Sequence, residues 1–474
     1  MDYRVKPNND SFPKEANRMS SSETSLKTVN RGSLPMMKLA LPLIGEQFFR
    51  MLVSSVDTFM LSSYSEAAVA GVGLVSQWVF FIQILINVVC IGSSIVLAQY
   101  LGAKKDENEL NHVAKAGFVM VLAVSAFLTV IVLTCTPFLL SNYTLEEEVY
   151  NCAKKYFMIY SGTGAIFAGI SSFQTALLRT YGYTKETLIV TIISNIINVI
   201  GNALALYGWF GLPVFGAAGV AVASTFAVFV GNILLFIMIR RRKDIQLKLF
   251  HSQKTPRGIY KLILSIGIPT AGESLSYNLA QITIMAIIST LGTYAMDCQV
   301  YTQTIVRFVF VIAAATGNAV QIKVGYYVGA GEKDTAYKKV FKYSLVATIC
   351  SLSLILLVNL VKTPIIHIFT RQDEVFALTS RMLVYSILIE FGRSLNLIYV
   401  GALKGSGDVK FPVLYGILSM WGIMVFLSWF LGLKLGLGVI GCWLGIGLDE
   451  TTRGIVMLLR WKGKRWQSKA LVKA

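Results

Sequence analysis

About twelve stretches of predominantly apolar residues, each long enough to cross a bilayer, constrain the fold of this chain more than any other feature. A membrane-spanning helix needs about 20 such residues, because a backbone in hydrocarbon must satisfy its own hydrogen bonds. The pattern therefore predicts an all-α polytopic membrane protein. We expect its spans at about 38–62, 68–101, 114–136, 149–178, 187–208, 214–239, 259–291, 296–328, 340–361, 377–403, 411–432 and 437–460.

The composition excludes a water-soluble enzyme. Hydrophobic residues make up 55% of the 474 residues and charged residues only 14%, whereas a soluble chain is about 25% charged. The net charge of +18 does not indicate nucleic-acid binding, which needs a basic face on a soluble fold. Six cysteines and three histidines are scattered, without the spacing of a disulfide framework or a zinc site. We expect no metal and no cofactor other than a coupling ion.

An internal repeat divides the spans into two sets of six. Three motifs recur at an offset of 225 to 227 residues: Pro42-x-x-Gly45-Glu46 as Pro269-x-x-Gly272-Glu273, Gly102-Ala103 as Gly329-Ala330, and Leu178-Arg179-x-x-Gly182-x-x-Lys185 as Leu403-Lys404-x-x-Gly407-x-x-Lys410. Six spans per half is an even number, so both halves have the same orientation in the membrane. Such a parallel repeat is a common plan among transporters, and it predicts two six-helix lobes.

The distribution of basic residues predicts the orientation. Of the 43 Lys and Arg residues, 33 lie on the side of both termini, six on the opposite side and four inside spans. Both termini are therefore expected in the cytoplasm, with anionic lipid headgroups as a partner. We assign 1–35 to a flexible cytoplasmic tail, 36–239 to an N-lobe, 240–258 to a basic cytoplasmic linker, 259–461 to a C-lobe and 462–474 to a basic cytoplasmic tail.

Asp57 is the strongest candidate for a coupling site. An ionisable group inside a span costs at least a few kcal/mol, so each is a functional candidate. Glu46 and Arg50 are spaced to pair with each other, whereas Asp57 has no basic residue within four positions. A carboxylate in a low dielectric can exchange a proton near neutral pH or bind a cation. Its repeat mate is Ile284, so the acid belongs to one half only. The alternative to a coupling role for Asp57 is a structural hydrogen bond to a neighbouring helix.

Other polar residues inside spans form two groups. Asn195, Asn198 and Asn202 share one face of the fifth span, where amides can hold helices together or line a wet cavity facing Asp57. The predicted intramembrane charge network comprises Glu46, Arg50, Glu273, Arg307, Glu390, Arg393, Asp449, Glu450 and Arg453. By spacing alone, the second-lobe charges are either functional or local ion pairs and clamps between helices.

The chain resembles the multidrug and toxic compound extrusion (MATE) transporters. The resemblance rests on Pro42…Val56-Asp57-Thr58-Phe59-Met60, Ala67-x-x-Ala70-x-Val72-Gly73 and Gly92-Ser93-x-x-x-x-Ala98-Gln99-Tyr100-x-Gly102-Ala103. Motifs near 390–396, 407–412 and 449–453 resemble a subgroup common in Gram-positive bacteria. The resemblance implies two lobes around a V-shaped cavity, and export of drugs driven by inward flow of protons or sodium ions.

The family's first-span acid falls on Asp57, and its fifth-span polar residues fall on the three asparagines named above. Two departures leave the coupling ion open. No Asp or Glu occurs between Leu188 and Tyr207, where one branch has a second acid. Tyr277 stands where another branch has a seventh-span acid, and Glu273 lies four residues earlier.

Family substrates are typically amphipathic organic cations, so the resemblance implies a multidrug antiporter that acts as a monomer in the plasma membrane. Aromatic candidates for its substrate cavity are Phe48, Phe49, Trp78, Tyr277 and Phe308; by position alone they could equally be lipid-facing or core residues. A flippase for a lipid-linked precursor remains the alternative, although it needs a basic cavity for pyrophosphate. Only four bases lie inside spans, and three of them are spaced to pair with an acid.

Overall fold

The computed structural model describes residues 31–211, 213–245 and 254–472, and twelve membrane-length helical segments follow one another in this part of the chain. The predicted all-α fold with two six-helix lobes is confirmed. The first lobe contains α1 (Met36–Ser62), α2 (Glu66–Gly102), α3 (Glu107–Ser141), α4 (Glu147–Phe157), α5 (Gly164–Thr180), α6 (Thr184–Tyr207) and α7 (Gly216–Arg241). The second contains α8 (Arg257–Ser289), α9 (Thr293–Gly329), α10 (Lys333–Leu360), α11 (Lys362–His367), α12 (Asp373–Ser406), α13 (Lys410–Ser419), α14 (Phe426–Trp429) and α15 (Gly438–Lys462).

Two of the spans are not continuous α-helices. A π-helical turn, Met158–Thr163, joins α4 to α5, and two further π-helical turns, Met420–Val425 and Phe430–Lys434, flank α14. A π turn shifts the backbone hydrogen-bonding pattern, so some carbonyls need other partners. The Thr129 hydroxyl of α3 donates to the carbonyl oxygen of Gly162 at 2.8 Å and supplies such a partner.

Residues 1–30 of the predicted tail and 246–253 of the predicted linker lie outside the described residues. The last residues of the predicted N-terminal tail contact the second lobe. The Lys323 ammonium of α9 donates hydrogen bonds to the carbonyl oxygens of Gly32 and Leu34. The chain enters α1 directly after this contact, at Met36.

The two lobes meet where α2 crosses α9, and glycines allow the two backbones to touch. A Cβ atom on Gly102 would lie 2.2 Å from the carbonyl oxygen of Tyr326, and one on Gly329 would lie 2.0 Å from that of Gln99. Gln99 and Tyr326 are repeat mates, as are Gly102 and Gly329. The crossing is therefore reciprocal. We call these four residues the seam.

Two reciprocal hydrogen bonds join the lobes at the seam. The amide nitrogen of Gln99 donates to the carbonyl oxygen of Gly405 at 2.9 Å, and the Tyr326 hydroxyl donates to the carbonyl oxygen of Thr180. Thr180 and Gly405 are also repeat mates, at the offset of 225. Each lobe thus donates one hydrogen bond from its second helix to the other lobe.

Contacts of α1 with α9 and of α8 with α2 extend the junction in the same pairwise manner. Ala40 of α1 and Ala319 of α9 are buried in one small apolar cluster. Their repeat mates are Gly267 and Gly92; Cβ atoms there would lie 2.1 Å and 2.3 Å from carbonyl oxygens of α2 and α8, respectively. Small residues therefore set the close approach of all four helices, as is common between transmembrane helices.

The tail after α15 folds back onto this junction. The Trp466 ring is buried and stacks on Trp461, with 4.0 Å between the ring centroids. A few residues later the backbone N–H of Leu471 donates to the side-chain oxygen of Gln99 at 2.8 Å. The tail consequently connects the last helix of the second lobe to the seam residue of the first.

We predict that Gly102→Ala destabilises the junction. The added Cβ must displace the α9 backbone, and overpacking of this kind costs about 1–3 kcal/mol. The measurement is the thermal unfolding midpoint in detergent, followed by tryptophan fluorescence. Gly272→Ala is the matched control, because a Cβ there meets nothing within 4 Å and alanine has the better helix propensity. Equal midpoints for the two variants would show that the crossing tolerates the added atom.

Candidate coupling site and buried charge clusters

A cavity of about 420 Å³ lies inside the first lobe, and Asp57 is part of its wall. Its lining residues come from five helical segments: α1, α2, α4 with its π turn, α6 and α7. The polar lining residues are Arg50, Ser54, Asp57, Thr58, Ser76, Tyr156, Tyr160, Ser194, Asn195, Asn198 and Ser224. A partly open space lined by a carboxylate and several amides and hydroxyls can hold water or a small cation.

Asp57 belongs to a chain of side-chain hydrogen bonds that begins and ends in the wall of the cavity. The Asn202 amide donates to the Asp57 carboxylate at 2.7 Å and more weakly to the Asn198 carbonyl oxygen at 3.4 Å. The Asn198 amide in turn donates to the Ser224 hydroxyl at 2.8 Å. Asn202 is fully buried, and its own side-chain oxygen has no partner among the described residues. The structure thus brings three of the predicted residues together and leaves one acceptor available beside the carboxylate.

Asn195 occupies a different position from the other two asparagines. Its amide donates to the backbone carbonyl of Phe49 in α1 at 3.3 Å, while its side chain also lines the cavity. Spacings of three and four residues place all three asparagines on one face of α6. That face packs on α1, which explains why α6 can hold both the backbone and the carboxylate of that helix.

Two tyrosines that the sequence analysis did not single out also line the cavity. The rings of Tyr156 and Tyr160 stack at a centroid distance of 5.5 Å. Tyr160 lies within the π turn, and Tyr156 lies just before it. π turns are frequent at functional sites, but they depend on tertiary contacts, and no motif in this sequence identifies one.

Glu46 is not among the residues that line the cavity, and it pairs with two arginines instead of one. It is fully buried, 2.9 Å from Arg50 and 2.6 Å from Arg179 of α5. The hydroxyls of Thr187 and Thr191 in α6 also donate to its carboxylate, at 3.0 Å and 3.2 Å. One carboxylate therefore holds three helices together, and the group carries one net positive charge.

The second lobe has an ion pair that corresponds to Glu46–Arg179 of the first. Glu273 of α8 lies 2.7 Å from the ammonium of Lys404 in α12. Glu273 is the mate of Glu46, and Lys404 is the mate of Arg179. The repeat pattern matches these residues but does not by itself indicate that they form a pair. The signal was present, because an acid and a base each recur in both halves.

Five buried charged residues of α12 and α15 form one cluster in the second lobe. Arg393 pairs with Glu390 and lies 3.7 Å from Glu450, while Arg453 lies 2.6 Å from Asp449 and 3.4 Å from Glu450. The side chains of Asn396 and Ser419 donate to Glu450 and Asp449 at 2.8 Å and 2.5 Å.

The three acids and two bases of this cluster leave one negative charge in excess. An uncompensated charge at this depth is costly, so the cluster can hold one proton or one monovalent cation. Glu390 is the least supported of the acids, because one of its carboxylate oxygens is buried without a partner. Tyr277 is close to the cluster but accepts its hydrogen bond from Gln281, at 3.0 Å.

Of the remaining predicted residues, Phe48 and Phe308 meet at the junction of the lobes. The Phe48 ring lies 6.2 Å from that of Phe49 and 6.1 Å from that of Phe308, which links α1 to α9. Trp78 is 36% exposed, and Arg307 is exposed without an ion pair among the described residues. None of the five aromatic candidates lines the cavity beside Asp57.

We predict that Glu46→Gln strongly destabilises the first lobe. Removing one partner of a buried ion pair costs about 3–5 kcal/mol, and here it leaves two arginines facing each other. Lys105→Gln is the control, since its ion pair with Glu109 is exposed at 3.3 Å and should contribute at most about 1 kcal/mol. Denaturant titration in detergent measures both. Comparable losses of unfolding free energy would contradict the assigned role of Glu46.

The charge excess of the second-lobe cluster gives a further prediction. Glu390→Gln removes the excess charge and should change the unfolding free energy by less than about 1 kcal/mol. Glu450→Gln removes an acid that compensates both arginines, and should cost about 3–5 kcal/mol. The same titration compares the two variants, and the reverse order of their effects would show that Glu390 is the needed counter-charge.

Comparison with known proteins places this arrangement in a family. The MatE family profile matches residues 42–204 and 269–430, one match in each half. The "Uncharacterized transporter YisQ" of Bacillus subtilis is 34% identical over 454 residues, covering 94% of this chain and 98% of that protein. The "Probable multidrug resistance protein NorM" of Thermotoga maritima is 26% identical, covering 92% of this chain and 94% of that protein.

A solved structure has the same fold. It is described as the "Outward-facing conformation of a multidrug resistance MATE family transporter of the MOP superfamily". It superimposes with a TM-score of 0.83 at 18% identity, covering 91% of this chain and 95% of that one. With both halves matched by the family profile, the chain belongs to the MatE family of multidrug and toxic compound extrusion transporters, which are multi-pass membrane proteins.

Proposed function

We propose that this protein is a secondary active multidrug efflux transporter that exchanges amphipathic, mostly cationic organic compounds for protons or sodium ions. The observation that carries the proposal is the position of Asp57 in the wall of a polar cavity inside the first lobe, with Asn202 as its hydrogen-bond donor. A carboxylate held in this way becomes neutral when it binds a proton, and a bound cation compensates its negative charge. Either event changes the cost of keeping α1 in its present position.

Such a cycle needs two conformations, and they differ in whether the seam is closed or open. With both termini in the cytoplasm of a plasma-membrane protein, the seam lies at the cytoplasmic end, so the present conformation is closed to the cytoplasm. Opening toward the cytoplasm breaks the hydrogen bonds of Gln99 and Tyr326 to the opposite lobe. Ion binding at Asp57 then acts through α1, which contacts α6 within its own lobe and α9 across the junction.

Asp57 can bind either coupling ion. A proton needs only the carboxylate, whereas a sodium ion needs several oxygen ligands. The unpartnered side-chain oxygen of Asn202 and the hydroxyls of Ser54 and Thr58 are available in the same region. The protein is proposed to act as a monomer, with anionic lipids as partners of its basic cytoplasmic face. Relatives that carry the name multidrug resistance protein support the choice of substrates.

The test is efflux of a fluorescent cationic dye from liposomes under an imposed pH gradient and, separately, a sodium gradient. We expect one gradient to drive the parent protein. Asp57→Asn should abolish that drive and keep dye binding, because the amide is close in size but cannot change its charge. Asp334→Asn is the control, since that side chain is 84% exposed, and it should transport as the parent does.

Two results would contradict the proposal. If Asp57→Asn keeps full gradient-driven transport, Asp57 is a structural hydrogen-bond acceptor. If neither gradient moves any dye in the parent protein, antiport itself is wrong, and transport of a lipid-linked precursor becomes the function to measure.

A further inference from the structure

The segment 32–35, which we call the N-strap, crosses from one lobe to the other just before α1 begins. On the first lobe, the Leu34 side chain packs on Gly182 in the turn between α5 and α6, where a Cβ on the glycine would lie 2.9 Å from it. On the second lobe, the Lys323 ammonium of α9 donates to the carbonyl oxygens of Gly32 and Leu34, at 2.5 Å and 2.8 Å. The N-strap therefore contacts one lobe through a side chain and the other through its backbone.

The segment 469–471, which we call the C-strap, makes corresponding contacts with the lobes exchanged. It packs on Gly407, in the turn between α12 and α13. A Cβ on this glycine would lie 2.3 Å from the carbonyl oxygen of Lys469 and 3.3 Å from the Leu471 side chain. On the first lobe, the backbone N–H of Leu471 donates to the side-chain oxygen of Gln99 in α2 at 2.8 Å. Both ends of the chain thus join the two lobes.

The two turns that hold the straps are repeat mates, but the straps are not. Gly182 and Gly407 correspond at the offset of 225, and both have a positive φ, of 89° and 94°. Two residues before each glycine lies the carbonyl oxygen, of Thr180 or Gly405, that accepts the hydrogen bond from the opposite lobe at the seam. One strap precedes the first lobe and the other follows the second. Segments outside the repeat therefore occupy corresponding places on the two lobes.

Lys323 makes the N-strap contact costly to break. The side chain is fully buried, and it forms no ion pair within the part of the chain that the structure describes. Besides the two carbonyl oxygens of the N-strap, its ammonium meets the ring face of Tyr327, 4.9 Å from the centroid. A buried ammonium without hydrogen-bond partners is very unfavourable. The N-strap can therefore leave only if water reaches Lys323 in its place.

We propose that the two straps hold the seam closed and that both must detach before the lobes part on the cytoplasmic side. This inference rests on the proposed transport function and adds a regulatory contact to it. Separation of the lobes at the seam breaks the hydrogen bonds of Gln99 to Gly405 and of Tyr326 to Thr180. Because each strap is bound to both lobes, the same movement also breaks the strap hydrogen bonds made by Lys323 and Leu471.

The test is hydrogen–deuterium exchange, measured by mass spectrometry on the full-length protein in lipid nanodiscs without any ion gradient. Peptides from 99–105 and 326–332 report opening of the seam in the two lobes. Lys323→Met removes the donors to the N-strap and keeps an unbranched side chain. Exchange in both peptides should become about tenfold faster or more, as expected when hydrogen bonds to a charged group are lost. Exchange at 66–72, at the other end of α2, should not change.

Lys342→Met is the matched control, because it removes an exposed lysine from α10 of the same lobe. It should leave the exchange of both seam peptides as in the parent protein. Leu471→Pro tests the C-strap separately, since proline keeps an apolar side chain but has no backbone N–H. Loss of this neutral hydrogen bond should make exchange at the seam about twofold to tenfold faster.

The proposal is overturned if Lys323→Met or Leu471→Pro leaves the seam peptides at the exchange rates of the parent protein. It is also overturned if faster exchange extends over the whole chain together with a lower thermal unfolding midpoint, since that is general destabilisation. The measurement does not depend on transport. If the parent protein exports dye and the variants exchange as the parent does, the antiport function is retained and only the role of the straps is lost. If no dye moves but both variants open the seam, the straps hold it closed and antiport is wrong.

Discussion

The reciprocal crossing of α2 and α9 determines how the two lobes are arranged. Backbone meets backbone at Gly102 and Gly329, and the side chains of Gln99 and Tyr326 each donate a hydrogen bond to the other lobe. Within a membrane the hydrophobic effect gives helices little reason to associate, so close packing and such hydrogen bonds carry the association. In the proposed transport cycle, opening toward the cytoplasm breaks these hydrogen bonds.

The repeat separates what is shared between the lobes from what is specific to one of them. The residues that hold helices together are shared. The seam glycines recur in both halves, and the ion pair Glu46–Arg179 of the first lobe corresponds to Glu273–Lys404 of the second. Chemistry is not shared. Asp57 corresponds to a buried isoleucine, Ile284. A symmetric scaffold thus holds an intramembrane acid, Asp57, in one lobe only.

The fold and part of the site could be predicted from the sequence. Hydrophobic length determined the twelve spans, because lipid imposes it on every helix. Local spacing indicated Glu46 with Arg50, Glu390 with Arg393 and Asp449 with Arg453, pairs that also lie in contact in the structure. Glu46 and Arg179 also form an ion pair, but they are 133 residues apart in the sequence. Helical periodicity does not indicate which residues so far apart will meet. The π turn that places Tyr160 in the cavity likewise depends on neighbours such as Thr129.

The tail after α15 has a consequence for how the protein is made. Gln99 lies in the second helix, yet its side chain finds its partners at Gly405 and Leu471, which are 306 and 372 residues farther along the chain. Domains usually fold in the order of their synthesis. Here the side chain of Gln99 cannot make both of these hydrogen bonds until Leu471 has been synthesised. The hydrogen bonds of Gln99 are therefore completed only after both lobes have been synthesised, and a chain truncated before Leu471 would lack one of them.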